Sequence, residues 1–300
     1  MCKKLTILIT GVNGQIGFEL SQTLRGLGNI IPINRSVLDL SDLNRARKVV
    51  RELRPSIIVN SAAYTAVDKA ETDVQNAYRL NADVPRILAE EAVSLKAALI
   101  HYSTDYVFDG MKKDLYVETD QTNPKNIYGL TKLEGENAII ESGCSYIIFR
   151  TSWVYGLRRR NFLSRILKLG SNMSELYVVL NQKGIPTWAR TIAAATSKII
   201  EQAIDSEDII DWWSKFSGIY HLTSSGSTSW HGFAEAIFDF ITENHVLKIV
   251  PILISDYPAQ AFRPENSCLA IDKLVNTFNL QMPYWKDSLQ LCLNSRNKYE

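Results

Sequence analysis

The stretch KLTILITGVNGQIGFEL, residues 4–20, decides the fold. A short apolar run, Leu5 to Ile9, stops at Thr10-Gly11. It is too short to span a membrane or to form the core of a signal peptide, and reads as a buried strand. Gln15 to Leu27 then carries Ile16, Leu20, Leu24 and Leu27 at helical spacing. Between strand and helix lies Gly11-x-x-Gly14-x-x-Gly17. Glycines there permit a tight turn and close backbone approach. The N–H groups opening the helix then face a pyrophosphate, as in dinucleotide-binding folds.

The alternation continues outward from this unit. NIIPIN (29–34), SIIVNSAA (56–63), AALIHYS (97–103) and SYIIFRTS (145–152) read as strands. Helical patterns at 43–53, 73–94 and 126–142 separate them, the last announced by Pro124. The third strand, SIIVNSAA, is continuous in apolar character, as buried parallel strands are. The pattern predicts an α/β fold: a doubly wound parallel Rossmann sheet with a smaller α/β substrate-binding domain. The expected division is residues 1–152 for the nucleotide-binding domain and 153–300 mainly for the second. Segments near 190–223 are expected to return to the first.

Composition narrows the function classes. Of 300 residues, 46% are apolar and 22% charged, and the formal net charge is +1. Nothing favours nucleic acid or an anionic membrane. Arg158-Arg159-Arg160 is the only basic run, read as a loop or as a patch for an anionic substrate. Cys2, Cys144, Cys268 and Cys292 form no CxxC pair and lack histidines at metal spacing. Reduced thiols and a cytoplasmic location are expected.

A site preferring NAD places an acid at the end of the second strand. Here Arg35 and Ser36 stand there instead. Arg35 suits a 2′-phosphate, so NADPH is favoured, with NADH left open. Asp39-Leu40 is placed to meet the adenine. Ala62-Ala63-Tyr64-Thr65, ending the third strand, allows close approach to the cofactor.

Tyr128 and Lys132 are four positions apart, on one face of a predicted helix. Ser103-Thr104 puts hydroxyls at the carboxyl edge of the sheet, where ligands bind in such folds. Ketone reduction needs hydride at carbon and a proton at oxygen. A neighbouring ammonium lowers a phenol's pKa, and a threonine hydroxyl can hold the carbonyl. His101 reads as a packed strand residue, and His221, His231 and His245 lack metal partners at suitable spacing. Asp105 and Asp109 read as turn and loop residues, and no serine has G-x-S-x-G context.

With these residues the chain resembles the extended short-chain dehydrogenase/reductase family. NSAAYTAVDKAE (60–71), HYSTDYVFDG (101–110), NIYGLTKLEGE (126–136) and FRTSWVYG (149–156) are similar to its dTDP-4-dehydrorhamnose reductase branch, over residues 5 to about 290. The resemblance implies that Thr104, Tyr128 and Lys132 are the catalytic trio. It implies cofactor positions at Gly11, Gly14, Gln15, Ile16, Asp39, Leu40, Ala62, Ala63, Tyr64 and Thr65, with Tyr128 and Lys132. Val67, Thr104, Tyr106, Trp153 and the Arg263-Pro264 segment would face a dTDP-linked sugar, whose 4-keto group NADPH or NADH would reduce.

Departures accompany it. Many members carry two arginines before the proline; here Phe262 replaces one, and residues 158–160 are candidates to supply the lost contact. Some members dimerise through a magnesium held by three glutamates. Glu19 keeps one, while Arg190 and Ser295 stand for the others, which argues against a magnesium bridge and leaves monomer or homodimer open. Two other readings share the residues: a reductase of another nucleotide-linked 4-keto-6-deoxy sugar, and a non-catalytic regulatory subunit like that of methionine adenosyltransferase. The complete trio argues against the second.

Overall fold

The computed structural model describes residues 5–170, 173–241 and 247–296. Cys2 and His245 lie outside them. The chain opens with β1 (Thr6–Thr10), α1 (Gln15–Thr23), β2 (Asn29–Ile33), α2 (Leu43–Leu53) and β3 (Ile57–Asn60). It continues with α3 (Val67–Ala70), α4 (Val74–Tyr78), α5 (Val84–Leu95), β4 (Ala98–Thr104), α6 (Ile127–Ser142) and β5 (Ser145–Thr151). Then follow β6 (Val154–Tyr155), α7 (Phe162–Gly170), β7 (Glu175–Val179), β8 (Lys183–Gly184) and β9 (Thr187–Trp188). The last elements are α8 (Ala189–Ile204), α9 (Ile209–Lys215), β10 (Gly218–His221), β11 (Thr228–Ser229), α10 (Trp230–Ile241), β12 (Lys248–Ile252), α11 (Asp272–Phe278) and α12 (Trp285–Asn294).

Six parallel strands form the main sheet in the order β10-β5-β4-β3-β1-β2. This is the doubly wound parallel sheet that the sequence predicts. Each sheet face carries its own core. On one, Ile7, Ile9, Ile100 and Phe149 pack against Leu20 and Leu24 of α1 and Ile192 and Ile199 of α8. On the other, Leu8, Ile58, Leu99 and Ile148 pack against Val50 of α2, Leu88 of α5 and Ile139 of α6. Strand residues alternate between these cores, the period-two rule of a pleated sheet.

A separate apolar cluster joins Tyr155, Leu163, Trp188, Phe233, Trp285 and Leu289. Three two-stranded ribbons, β7-β12, β6-β9 and β8-β11, accompany it. Among the described residues no helix is long and apolar enough to cross a membrane.

The helix predicted over 73–94 is one rod with a fault in it. Arg79–Asp83 forms a π-helical turn between α4 and α5. Pro85 is the physical reason. It has no N–H for the carbonyl of Asn81, four residues earlier, so the regular ladder cannot close there. That fault shapes the site described next.

Candidate active site

The glycine turn is tight because of its neighbours. Gly11 has φ +69°, and a Cβ there would lie 2.7 Å from Ala62 N. A Cβ at Gly17 would overlap the Gly11 carbonyl. Helix α1 begins after Gly14 with no side-chain cap and no acid in its first turn. Its first N–H groups and positive dipole end are therefore left for an anion, which fits a dinucleotide pyrophosphate. Gln15 ties the turn to the loop before α7, where Asn161 Nδ2 donates to Gln15 Oε1 at 2.8 Å. Ile16 packs against the core beneath.

Beyond β2, Arg35 and Asp39 meet in an exposed ion pair at 3.1 Å. Hydrogen bonds from Ser41, and then Arg35, hold the Asp39 carboxyl below its ordinary pKa. Leu40 is buried. Beyond β3, the Ala62-Ala63-Tyr64-Thr65 loop is fastened by Asn81. Tyr64 N donates to Asn81 Oδ1 at 2.8 Å, and Asn81 Nδ2 donates to Tyr64 O and to Thr131 Oγ1, each at 3.1 Å. One buried amide thus locks this loop to α6.

The arginine run lies elsewhere than the sequence reading allows for. Arg159 Nε donates to Asn13 O at 2.6 Å, and Arg158 stacks over Phe18 at 3.9 Å. Both belong to the glycine turn and α1. Arg263 sits with Asp68 (2.8 Å) and over the Tyr106 ring (5.9 Å). Residues 158–160 therefore do not stand in for the arginine missing beside Arg263. Asn161, bonded to Gln15, anchors their loop against the cofactor-side turn.

Asn126 caps α6, accepting from Gly129 N at 2.7 Å. A Cβ at Gly129 would overlap the Tyr106 carbonyl, and one at Gly135 would overlap the Asn81 carbonyl. The helix can therefore press against the turn after β4 and against the π-helical fault. This brings Tyr128 beside Thr104, whose hydroxyl acts to lower the phenol's pKa. Thr104 Oγ1 also donates to Asp105 Oδ1 at 2.9 Å. Tyr106 packs edge-on against Tyr128, ring centroids 5.6 Å apart. Burial pushes the Asp105 carboxyl up to about 6, and its Oδ2 has no partner among the described residues. Ser103 Oγ and Thr151 Oγ1, at the carboxyl ends of β4 and β5, are likewise buried and unpartnered. Orphaned polar atoms gathered at one sheet edge suit a polar ligand.

Lys132 corrects one expectation. Its Nζ donates to Tyr102 O at 2.6 Å and meets His101 Nε2 at 3.0 Å. It faces the sheet. Burial pushes Lys132 down to about 7, against the opposing field of Glu136. Burial also pushes the Tyr128 phenol up, to about 12. The sequence reading has an ammonium lowering that phenol; here desolvation dominates instead.

Trp153, just after β5, has φ +46°. Its indole stacks on Trp230 at 3.4 Å, and Gly184 leaves the room it occupies. Val67 opens α3, one residue before the Asp68 that holds Arg263. Asn126 Nδ2 donates to Phe262 O at 2.9 Å, tying this segment to the start of α6. Glu19 is paired with Arg190 at 2.9 Å, and Ser295 Oγ donates to Cys292 O. Among the described residues no group of three His, Cys, Asp or Glu could hold a metal ion. Asn81, Asp105 and Trp230 entered no sequence-based site, since nothing near them in the chain marks their role.

The family model described as the RmlD substrate binding domain matches residues 5–297. The chain belongs to this family. A dTDP-4-dehydrorhamnose reductase of Burkholderia thailandensis is 41% identical over 295 residues, covering 96% of this chain and 98% of its own. A solved dTDP-4-dehydrorhamnose reductase from Clostridium acetobutylicum superposes with TM-score 0.89 at 37% identity, over 97% of this chain and 99% of its own. Another from Bacillus anthracis, in complex with NADP, has TM-score 0.89 at 34% identity and the same coverage. The resemblance carried by the four motifs thus holds along essentially the whole chain.

Proposed function

We propose that this protein reduces the 4-keto group of dTDP-4-dehydro-β-L-rhamnose to give dTDP-β-L-rhamnose. The observation carrying this reading is the Thr104–Tyr128 hydroxyl pair, set at the carboxyl edge beside an uncapped glycine-turn helix in a chain of this family. Bound NADPH or NADH supplies the hydride. Residues Gly11, Gly14, Gln15 and Ile16 receive its pyrophosphate. Asp39, Leu40 and residues 62–65 line its adenosine and ribose side. Arg35, already at the end of β2, takes a 2′-phosphate.

Thr104 orients the sugar carbonyl by hydrogen bonding to its oxygen. Tyr128 gives its phenol proton to that same oxygen as hydride reaches carbon. Burial favours a phenol that keeps its proton until a receiving oxygen arrives. Lys132, when charged, steadies the phenolate left behind. Val67, Tyr106, Trp153 and Arg263 hold the nucleotide-linked sugar. Arg263, with a buried Nη1 unpartnered among the described residues, suits a phosphate oxygen. Glu19 is engaged by Arg190, which argues against a magnesium bridge at that place; the protein is proposed to work in the cytoplasm as a monomer or homodimer.

The test is NADPH oxidation by purified protein supplied with dTDP-4-dehydro-β-L-rhamnose, repeated with NADH, with the product identified by mass and NMR. The expected product is dTDP-β-L-rhamnose, formed faster with NADPH. Turnover only with another nucleotide-linked keto sugar would reassign the substrate.

A further inference from the structure

Thr10, Asn60 and His101 stand side by side on three adjacent strands, in register across β1, β3 and β4. Thr10 Oγ1 donates to Asn60 Oδ1 at 2.7 Å, and Asn60 Nδ2 meets His101 Nδ1 at 3.0 Å. His101 Nε2 then meets Lys132 Nζ at 3.0 Å. All four side chains are essentially inaccessible to solvent, at 0–1% exposure. A row of polar side chains costs free energy in a sheet core unless every member is satisfied. This row is satisfied, and it ends on a single atom, Lys132 Nζ.

The direction of the row carries information. A neutral imidazole has one N–H and one bare nitrogen. The Thr10 hydroxyl occupies the Asn60 carbonyl, so the amide N–H turns to His101 Nδ1. Nδ1 must then be bare, and the ring hydrogen sits on Nε2, facing Lys132. An amine can accept that hydrogen only when it is uncharged.

We propose that His101, held by Asn60 and Thr10, is a positioning residue that keeps Lys132 an uncharged amine in the cofactor-free site. The charged form requires the ring hydrogen on Nδ1 and the Asn60 amide turned over. The two arrangements differ by one proton, taken from solvent at Lys132 Nζ, and by the tautomer of one ring. The proposal rests on Lys132 belonging to the reductase site.

The groups facing Lys132 are few. Glu136 lies one turn on along α6, paired with Arg150 of β5. His101 faces it from β4, and the Tyr128 phenol stands one turn back, itself under the field of Asp105. Burial disfavours the ammonium in the same sense as the row does. Burial keeps the ring of His101 from taking a second proton.

The first measurement is the His101 tautomer in uniformly ¹⁵N-histidine-labelled wild-type protein, without cofactor, at mildly alkaline pH. A hydrogen on Nε2 is expected. A hydrogen on Nδ1, or a doubly protonated ring, overturns the proposal. The second is Asn60→Asp, whose carboxylate can only accept and so draws the ring hydrogen to Nδ1, leaving Nε2 of the neutral ring to accept from Lys132. The alkaline limb of the kcat/KM profile should then move up by about one pH unit. A folded Asn60→Asp protein with that limb unmoved would mean a merely structural row. If the variant does not fold, the wild-type tautomer decides alone. Because that readout uses neither sugar nor cofactor, it stands or falls separately from the choice of substrate.

Discussion

At the scale of single residues, the question is how a phenol can donate on demand. Burial raises Tyr128 to about 12 and Asp105 to about 6, while the Thr104 hydroxyl donates to Asp105. The proposed donor is therefore protonated at neutral pH. Tyr128→Phe removes the transferable hydrogen and keeps the ring that packs on Tyr106. Turnover should fall by about 10²–10⁴-fold, the usual worth of a positioned acid. The NADPH dissociation constant, read by fluorescence titration, should change by no more than about two- to threefold, since most of the proposed cofactor contacts lie elsewhere. Unchanged turnover would move the proton to another group. Thr104, Tyr128 and Lys132 were legible in the sequence because a strand end and an i, i+4 spacing mark them locally. Asn81 and Asp105 were not, because the bonds that give them meaning run to Tyr64, Thr131 and a buried strand end. The direction of the phenol's shift was illegible too. It depends on how much solvent is removed, which spacing does not record.

At the scale of elements, the site depends on how closely α6 can approach its neighbours. Pro85 frees the Asn81 carbonyl, and Gly135 lets α6 lie against it. Asn126 begins the helix and at the same time binds the Phe262 carbonyl. Gly135→Ala should therefore act as an overpacking mutation. A loss of about 1–3 kcal/mol is expected, measurable as a lower urea midpoint. Turnover should fall with it, because displacement of α6 carries Tyr128 away from Thr104. An Ala variant with wild-type stability would show that the fault at 79–83 can absorb the methyl. The helix itself was readable from its proline start and its apolar spacing. The π-helical turn was not, although Pro85 was visible. A proline near the start of a regular helix and one inside a faulted rod look the same along the chain.

At the scale of the whole molecule, the sheet is closed by β10, where Gly218 to His221 pair with Ile147 to Arg150. His221 is wholly buried there, its Nδ1 at 3.1 Å from Ala270 O. Burial, then the Arg150 charge, push its pKa down to about 3. His101 is also held well below its ordinary value. Unfolded histidine titrates near ~6.5, so each lowered group contributes stability at higher pH that is lost as pH falls below that point. Each costs about 1.4 kcal/mol per pH unit. Asp105 works the other way. Its folded pKa of about 6 lies above that of the unfolded chain, so it favours the folded form as pH falls from 6 towards about 4. In that window two histidines oppose one carboxyl, and the net loss is about 1.4 kcal/mol per pH unit. His221→Gln keeps a polar side chain at β10 and removes one titration. The wild-type urea midpoint should decline steadily between about pH 6 and 4, while that of the variant stays nearly level. Parallel declines in both proteins would place the acid sensitivity outside β10. Half-buried carboxylates such as Asp73 and Asp120, which are lowered by their hydrogen bonds, would then be the remaining source.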